Sequence, residues 1–521
     1  MLTRRSFVVG AGAGLLAAKD TEIEALQARI RELDAVAPQP CDGTVKVDLW
    51  MLPRATGDGS GSSPENAMGA AALASVVAPG RHIGLLADKG DWPGFKRSFT
   101  AGGAAGAPCV IQGVDQARRP TQVVISSSRR RPVLDGWDPE WGRAQIGGGH
   151  DVFLLKRGAD YLSFRHIHFR NTDRTLQVLG TVHGLELDTI DFTNVKEGLW
   201  MDNDLEPDGL KRAIRGFTAR RIRATGFEES IFRLYGDTED VLIEGIEADS
   251  QRMQGHITVG LFIGKGDSTR TDTVHNVRVI GAALGYSGVI QNCHDQHHEK
   301  PWLAYRRDAD GNVVYKTNVD GSHVLDRQGN KIPLVAARFY APVDSDGYRP
   351  IKPATVIDKN PTKWGKDGLP GTNYWQGDGV ASERLCWGII LEKLTFRGCT
   401  DSGADLKSMD TRIVDCVFED NKRNIRLWGR STPEHSDGIV IIGGASRNAR
   451  KRGGNGGVAH IFITGGKTAG DQGPQVHLDG FTFEGRPAAA FYINKEQPHG
   501  VNVTHENCTF DGRNPVPVLA G

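Results

Sequence analysis

The chain has 521 residues and balances 63 Lys+Arg against 63 Asp+Glu, so its formal net charge is zero and it lacks the basic footprint of a nucleic-acid binder. Glycine is the compositional outlier, with 66 residues where an average chain has roughly 7%. It follows no G-X-Y period, which excludes collagen, and branched aliphatics run through the chain, which argues against wholesale disorder.

Thr3-Arg4-Arg5-Ser6-Phe7-Val8-Val9 precedes a Gly/Ala-rich apolar stretch ending near Ala18. Paired arginines ahead of weak hydrophobicity resemble a twin-arginine export signal. Residues 1–19 are therefore expected to be an address and the protein periplasmic or secreted, with no stable membrane span after export, since no apolar run reaches roughly 18 residues. Residues 20–40 are expected to form a short helix and linker, because Ile23, Leu26, Ile30 and Leu33 make a heptad-like seam. Two heptads are marginal in water, so a monomer is expected, with trimerisation through residues 20–35 as the alternative. The seven cysteines contain no C-x-x-C pair, and Cys399, Cys416 and Cys508, beside strand-like Phe residues, are expected to be buried thiols.

From about Val45 the pattern becomes short apolar-alternating runs punctuated by Gly, Asn and Asp, which reads as strands and turns. Ile167-His168-Phe169 with Asn171 superposes on Ile190-Asp191-Phe192 with Asn194 at a spacing of 23, Ile222 on Ile246 at 24, and Leu394-Thr395-Phe396 on Cys416-Val417-Phe418 at 22. Phe481-Thr482-Phe483 and Cys508-Thr509-Phe510 continue the theme. Repeats of this length, built of strands without helices, suggest a solenoid in which each coil stacks on the last. A leucine-rich ladder is absent and a propeller blade needs about 40 residues, so residues 41–521 are expected to form one all-β domain, a right-handed parallel β-helix.

At its start, a strand over 47–52, a helix from Glu65 to Val77 and a strand around 83–87 are expected to cap the open end. Residues 293–373 break the rhythm with the turn signals Asp310-Gly311-Asn312, Asp320-Gly321 and Gln328-Gly329-Asn330, and are expected to be an inserted hairpin region. Cys293-His294-Asp295-Gln296-His297-His298-Glu299 opens it, either as a transition-metal site or as a polar loop with its histidines toward solvent or a groove.

Beyond the insertion come Tyr374-Trp375-Gln376-Gly377-Asp378-Gly379, then Glu383, then Asp401-Ser402-Gly403-Ala404-Asp405-Leu406-Lys407, then Asn421-Lys422-Arg423-Asn424-Ile425-Arg426-Leu427-Trp428-Gly429. Asp378 to Asp401 is 23 residues and Asp405 to Arg426 is 21, each about one coil, so these side chains are expected to stack at roughly one strand spacing, about 4.8 Å. Converging carboxylates repel unless a cation or proton offsets them, and calcium suits an oxygen-rich site. The competing interpretation is that these Asp residues only occupy turns.

These three segments resemble the family nine polysaccharide lyases, parallel β-helix enzymes that cleave pectate-like polymers with calcium. The resemblance implies Asp378, Asp401 and Asp405 as calcium ligands, with Ser402 where the family has a further Asp. It implies Arg426 at the position of the family's catalytic lysine, and Lys407 is the alternative base. Trp375, Glu383, Lys422, Arg423, Trp428 and Arg430 are expected to contact an anionic polysaccharide. The expected activity is β-elimination on a uronic-acid polymer. A C5-epimerase or glycoside hydrolase on the same fold, or a non-catalytic, tailspike-like carbohydrate-binding protein, is the alternative.

Overall fold

The computed structural model describes residues 43–127, 151–201, 205–251, 258–264, 272–281, 287–293, 302–306, 308–325, 329–339, 377–429, 438–450 and 457–520. The signal-like segment, residues 20–35, the histidines after Cys293, Trp375 and Arg430 lie outside them.

Each coil contributes short strands that pair in parallel with the equivalent strands of the coils before and after. Ile167 lies opposite Ile190 and Phe169 opposite Phe192, Ile222 opposite Ile246, and Phe396 opposite Phe418. Thr482 bridges Thr509 in the same sense. The repeat read from the sequence is thus the register of the structure. Parallel crossovers of this kind are right-handed, and the chain is an all-β, right-handed parallel β-helix.

Register explains the core. Identical positions recur above one another, so like side chains stack: Phe169 on Phe192 with ring centroids 5.8 Å apart, Phe396 on Phe418 at 5.1 Å, and Phe483 on Phe510 at 5.2 Å. These rings and the Ile, Leu and Val beside them form one continuous apolar interior. The corners demand left-handed backbone, which Asn tolerates. Asn171 and Asn194 have φ of 57° and 53°, and the Asn194 amide donates to Asn171 Oδ1 at 2.7 Å. Cys293, Cys386, Cys399 and Cys416 are buried free thiols, while Cys508 is only partly buried.

The expected capping α-helix is replaced by a 3₁₀ helix, Ala70–Ser75. Met68–Gly69, within the first half of the expected helix, is drawn into parallel pairing with Met51 and Leu52. Gly69 supplies no side-chain cap, and the buried pair Ala70 and Leu73 has the three-residue spacing of a 3₁₀ turn. In the insertion, Trp302–Tyr305 pairs antiparallel with Val335–Phe339, and Gly311, Gly321 and Gly329 adopt positive φ at the three turn signals.

Candidate active site

One row of parallel strands carries the acidic and basic residues: Val259–Ile263, Asp378–Ser382, Ser402–Leu406, Arg423–Trp428 and Ala459–Thr464. Alternation sends Val380, Ala404, Ile425 and Ile461 into the core, each fully buried. Their neighbours Ala381, Asp405, Arg426 and Phe462 stack in register on the opposite face. Asp378 begins its strand, and its Oδ1 accepts the Ser402 amide at 2.8 Å. Asp401 precedes its own strand and pairs back to the Gly377 carbonyl through its amide.

Gly379 and Gly403 allow this convergence. A Cβ on Gly403 would lie 2.7 Å from the Asn424 carbonyl oxygen and 2.9 Å from the Phe418 ring, and one on Gly379 2.5 Å from the Gly403 carbonyl oxygen. Asn421 braces the same turn, accepting the Cys399 amide at 2.9 Å and donating to the Phe396 carbonyl at 3.0 Å.

The three acids predicted from the spacing come together. Asp378, Asp401 and Asp405 are all buried, and a carboxylate oxygen of each lies within 4.8 Å of the others. The cations distribute unevenly over them. Asp401 takes Arg423, Arg426 Nη1 at 3.2 Å and Lys422 Nζ at 3.8 Å. Asp405 has Arg426 Nη1 at 3.8 Å and accepts the Trp428 indole N–H. Asp378 has no ion-pair partner among the described residues. Burial, then the charges of Asp405 and Asp401, push its carboxyl well above the usual range despite Arg426.

Lys407 and Lys422 occupy opposite electrostatic situations. Burial works against the charge of Lys407, but Asp405 and Glu383 outweigh it and hold the ammonium above the ordinary lysine value. Its Nζ lies 2.9 Å from Glu383 Oε1. Lys422 has a fully buried side chain and no hydrogen-bond partner for Nζ. Burial brings it down to about 8, against the pull of Asp401. Lys422 and Arg423, expected to grip a polymer, instead point into the acid cluster. Trp428 bonds Asp405 and stacks beneath the Arg426 guanidinium, 4.1 Å from the ring centroid.

The donor set fits calcium. Two oxygens bound to one calcium at about 2.3–2.6 Å are at most about 5 Å apart, and the three acids satisfy that limit. Among the described residues Asp378 has no ion-pair partner, and the buried Ser402 hydroxyl beside it has no hydrogen-bond partner. Both are oxygen donors left over after the protein's own cations are placed.

The outward row does not end at the triad. Ala381 is preceded in register by Phe262, Arg233 and Trp200, residues whose spacing does not link them to Asp405. Their signal is the recurrence of a charged or aromatic residue immediately after a core position, as in Leu199-Trp200 and Phe232-Arg233, hidden by the longer coil between them.

A β-helix with a buried acid–base cluster on the outer face of one sheet is the class that fold and site define. The sequence matches no family profile and no curated protein. Among solved structures it is similar to the A-module of the mannuronan C-5 epimerase AlgE6 of Azotobacter vinelandii, with 11% identity over 84% of this chain and 92% of the other at a TM-score of 0.39. It is also similar to the pectate lyase Pel9A, with 11% identity over 90% and 80% of the two chains and a TM-score of 0.34. The lacto-N-biosidase of Eubacterium ramulus gives 9% identity, 89% and 67% coverage, and a TM-score of 0.34. The fold assignment rests on this chain's own strand register, and no residue role passes from those proteins to this one.

Proposed function

We propose that the protein is an exported lyase that cleaves a uronic-acid-containing polysaccharide by β-elimination. The observation that carries this reading is the buried triad of Asp378, Asp401 and Asp405 with Arg426 in register beside it. Asp378, Asp401 and Asp405 would hold a calcium ion, which when bound would attract the uronate carboxylate and disperse the charge that develops as the C5 proton leaves. Arg426 is the basic group at the centre of the cluster and is assigned the C5 proton. A guanidinium is ordinarily protonated far above neutral pH, and Asp401 and Asp405 hold that charge in place. The Arg426 side chain is only 9% exposed, so the proton it is assigned moves in a site with little water. Lys407 stays charged and is assigned to stabilise the enolate-like intermediate, oriented by Glu383. Trp428 fixes the plane of Arg426 and the position of Asp405 together.

The test is incubation with polygalacturonate, alginate, glycosaminoglycans and bacterial exopolysaccharides, with and without a calcium chelator. Appearance of the unsaturated-uronate chromophore, suppressed by chelation, is the expected result. Inverted sugars without the chromophore would make the enzyme an epimerase, shortened chains without it a hydrolase, and binding without turnover a non-catalytic protein.

A further inference from the structure

The outward row that contains Asp405 and Arg426 also carries a second charged cluster, on the N-terminal side of the triad. In register order the row reads Trp200, Arg233, Phe262, Ala381, Asp405, Arg426. Arg233 therefore stands three strands from Asp405, roughly 14 Å at about 4.8 Å per strand. Trp200, Arg233 and Phe262 are each partly exposed, in contrast to the buried Leu199, Phe232, Leu261 and Ile263 that flank them.

Beneath Arg233 lies Glu197, whose side chain is fully buried, with Arg233 Nη2 2.9 Å away on one oxygen and Arg174 Nε 3.2 Å away on the other. The same Nη2 reaches Glu229 at 3.1 Å, and Lys196 Nζ lies 3.4 Å from Glu229. Three cations thus face two carboxylates. The Arg233 guanidinium reaches both acids through Nη2, and its side chain remains 16% exposed. Arg174 lies against the Trp200 ring, 3.9 Å from its centroid, and Arg233 is 5.8 Å from that of Phe262. Burial also pushes the Glu197 carboxyl up to about 7, against Arg233, so at neutrality its opposing charge is smaller than that of an ordinary carboxylate, and it shrinks further in acid. A partly exposed guanidinium anchored from below, flanked along the strand stack by two partly exposed aromatic side chains, has the chemistry of a site for an acidic sugar: charge for the carboxylate, apolar ring surface for the pyranose.

We infer that Trp200, Arg233 and Phe262 form a remote subsite for a uronate unit of the same polymer whose scissile region lies at the triad. The inference deepens the lyase reading and rests on it for the direction of the chain, which runs along the row, parallel to the solenoid axis. Because the two sites are about three strand spacings apart, only a chain long enough to span them engages both, and affinity rises with length.

Affinity electrophoresis of the full chain in gels carrying polygalacturonate, alginate or neutral dextran tests this, with titration of long and short oligouronates as the second measurement. The wild type is expected to be retarded by an acidic polymer and not by dextran. Trp200→Ala is expected to weaken binding of the long chain about tenfold, and of the short one far less. Arg233→Met combined with Glu197→Gln, which avoids stranding a buried carboxylate, should do the same, and Trp200→Phe should recover most of the loss. Variants that melt cooperatively like the wild type yet bind long chains equally tightly would overturn the subsite, as would a wild type that no acidic polymer retards. Subsite-dependent binding without release of unsaturated uronate keeps this inference and ends the lyase reading. Turnover with binding indifferent to Trp200 and Arg233 does the reverse.

Discussion

Two clusters share one sheet row, and their charges are organised in opposite ways. At Glu197 and Glu229 the acids are interleaved with Arg174, Lys196 and Arg233, so each carboxylate has a cation. At the triad, Lys422, Arg423 and Arg426 all converge on Asp401, and among the described residues Asp378 has no ion pair. The cause is local backbone geometry. A register shift between Val195 and Glu197 re-aims the glutamate beneath its strand, as a bulge does. Asp378 and Asp401 instead sit where their strands begin, with glycines beside them that let adjacent backbones approach. In the upstream arrangement each acid has a cation and one basic group is in excess, with Arg233 partly exposed above the acids. The downstream one retains an acid with no ion pair among the described residues, the condition for recruiting a cation.

That contrast predicts where substitutions matter most. Asp401→Asn strands the cations gathered on it, and by the cost of breaking a buried pair it should lower stability by about 3–5 kcal/mol and abolish turnover. Thermal unfolding and chromophore release measure the two, and a fully stable variant would mean that the cations are held by something other than Asp401. Arg426→Met should lower the elimination rate by about 10²–10⁴ while leaving polymer binding in gels largely intact; equal losses in both would identify Arg426 as a binding residue only.

Smaller effects probe the frame. Gly403→Ala forces a Cβ to 2.7 Å from the Asn424 carbonyl oxygen, and overpacking of this kind costs about 1–3 kcal/mol. Its melting temperature should fall, whereas the same change at Gly470, whose Cβ meets nothing within 4 Å, should leave it almost unmoved.

The smallest effect concerns pH at the upstream cluster. The Glu197 carboxyl is raised from 4.5 to about 7, so between these values the folded protein binds more protons than the unfolded chain. Its contribution to stability is then complete below about 4.5 and declines as pH rises through about 7. Comparing melting temperatures of wild type and Glu197→Gln across that range should show the wild type losing ground toward neutrality. Parallel curves would place the titration elsewhere.

The coil repeat was legible because stacking imposes the same inward position every turn: Phe169 and Phe192, or Phe396 and Phe418, are both a sequence match and a ring stack. The acid triad was legible for the same reason, since a one-coil spacing becomes one strand spacing. Less legible was the Glu65–Val77 segment, because its local sequence carries no information about the parallel pairing that captures Met68–Gly69.

Sequence alone therefore determined the solenoid, its register and the convergence of Asp378, Asp401 and Asp405, all consequences of periodicity along one chain. Tertiary structure decided which cation answers which acid. Lys422 and Arg423 look like surface grips in the sequence and prove to be internal counter-charges, while Trp200 and Arg233 join the row of Asp405 through coils of unequal length. Charge pairing depends on side-chain direction and burial across neighbouring coils, and these exist only once the coils have stacked.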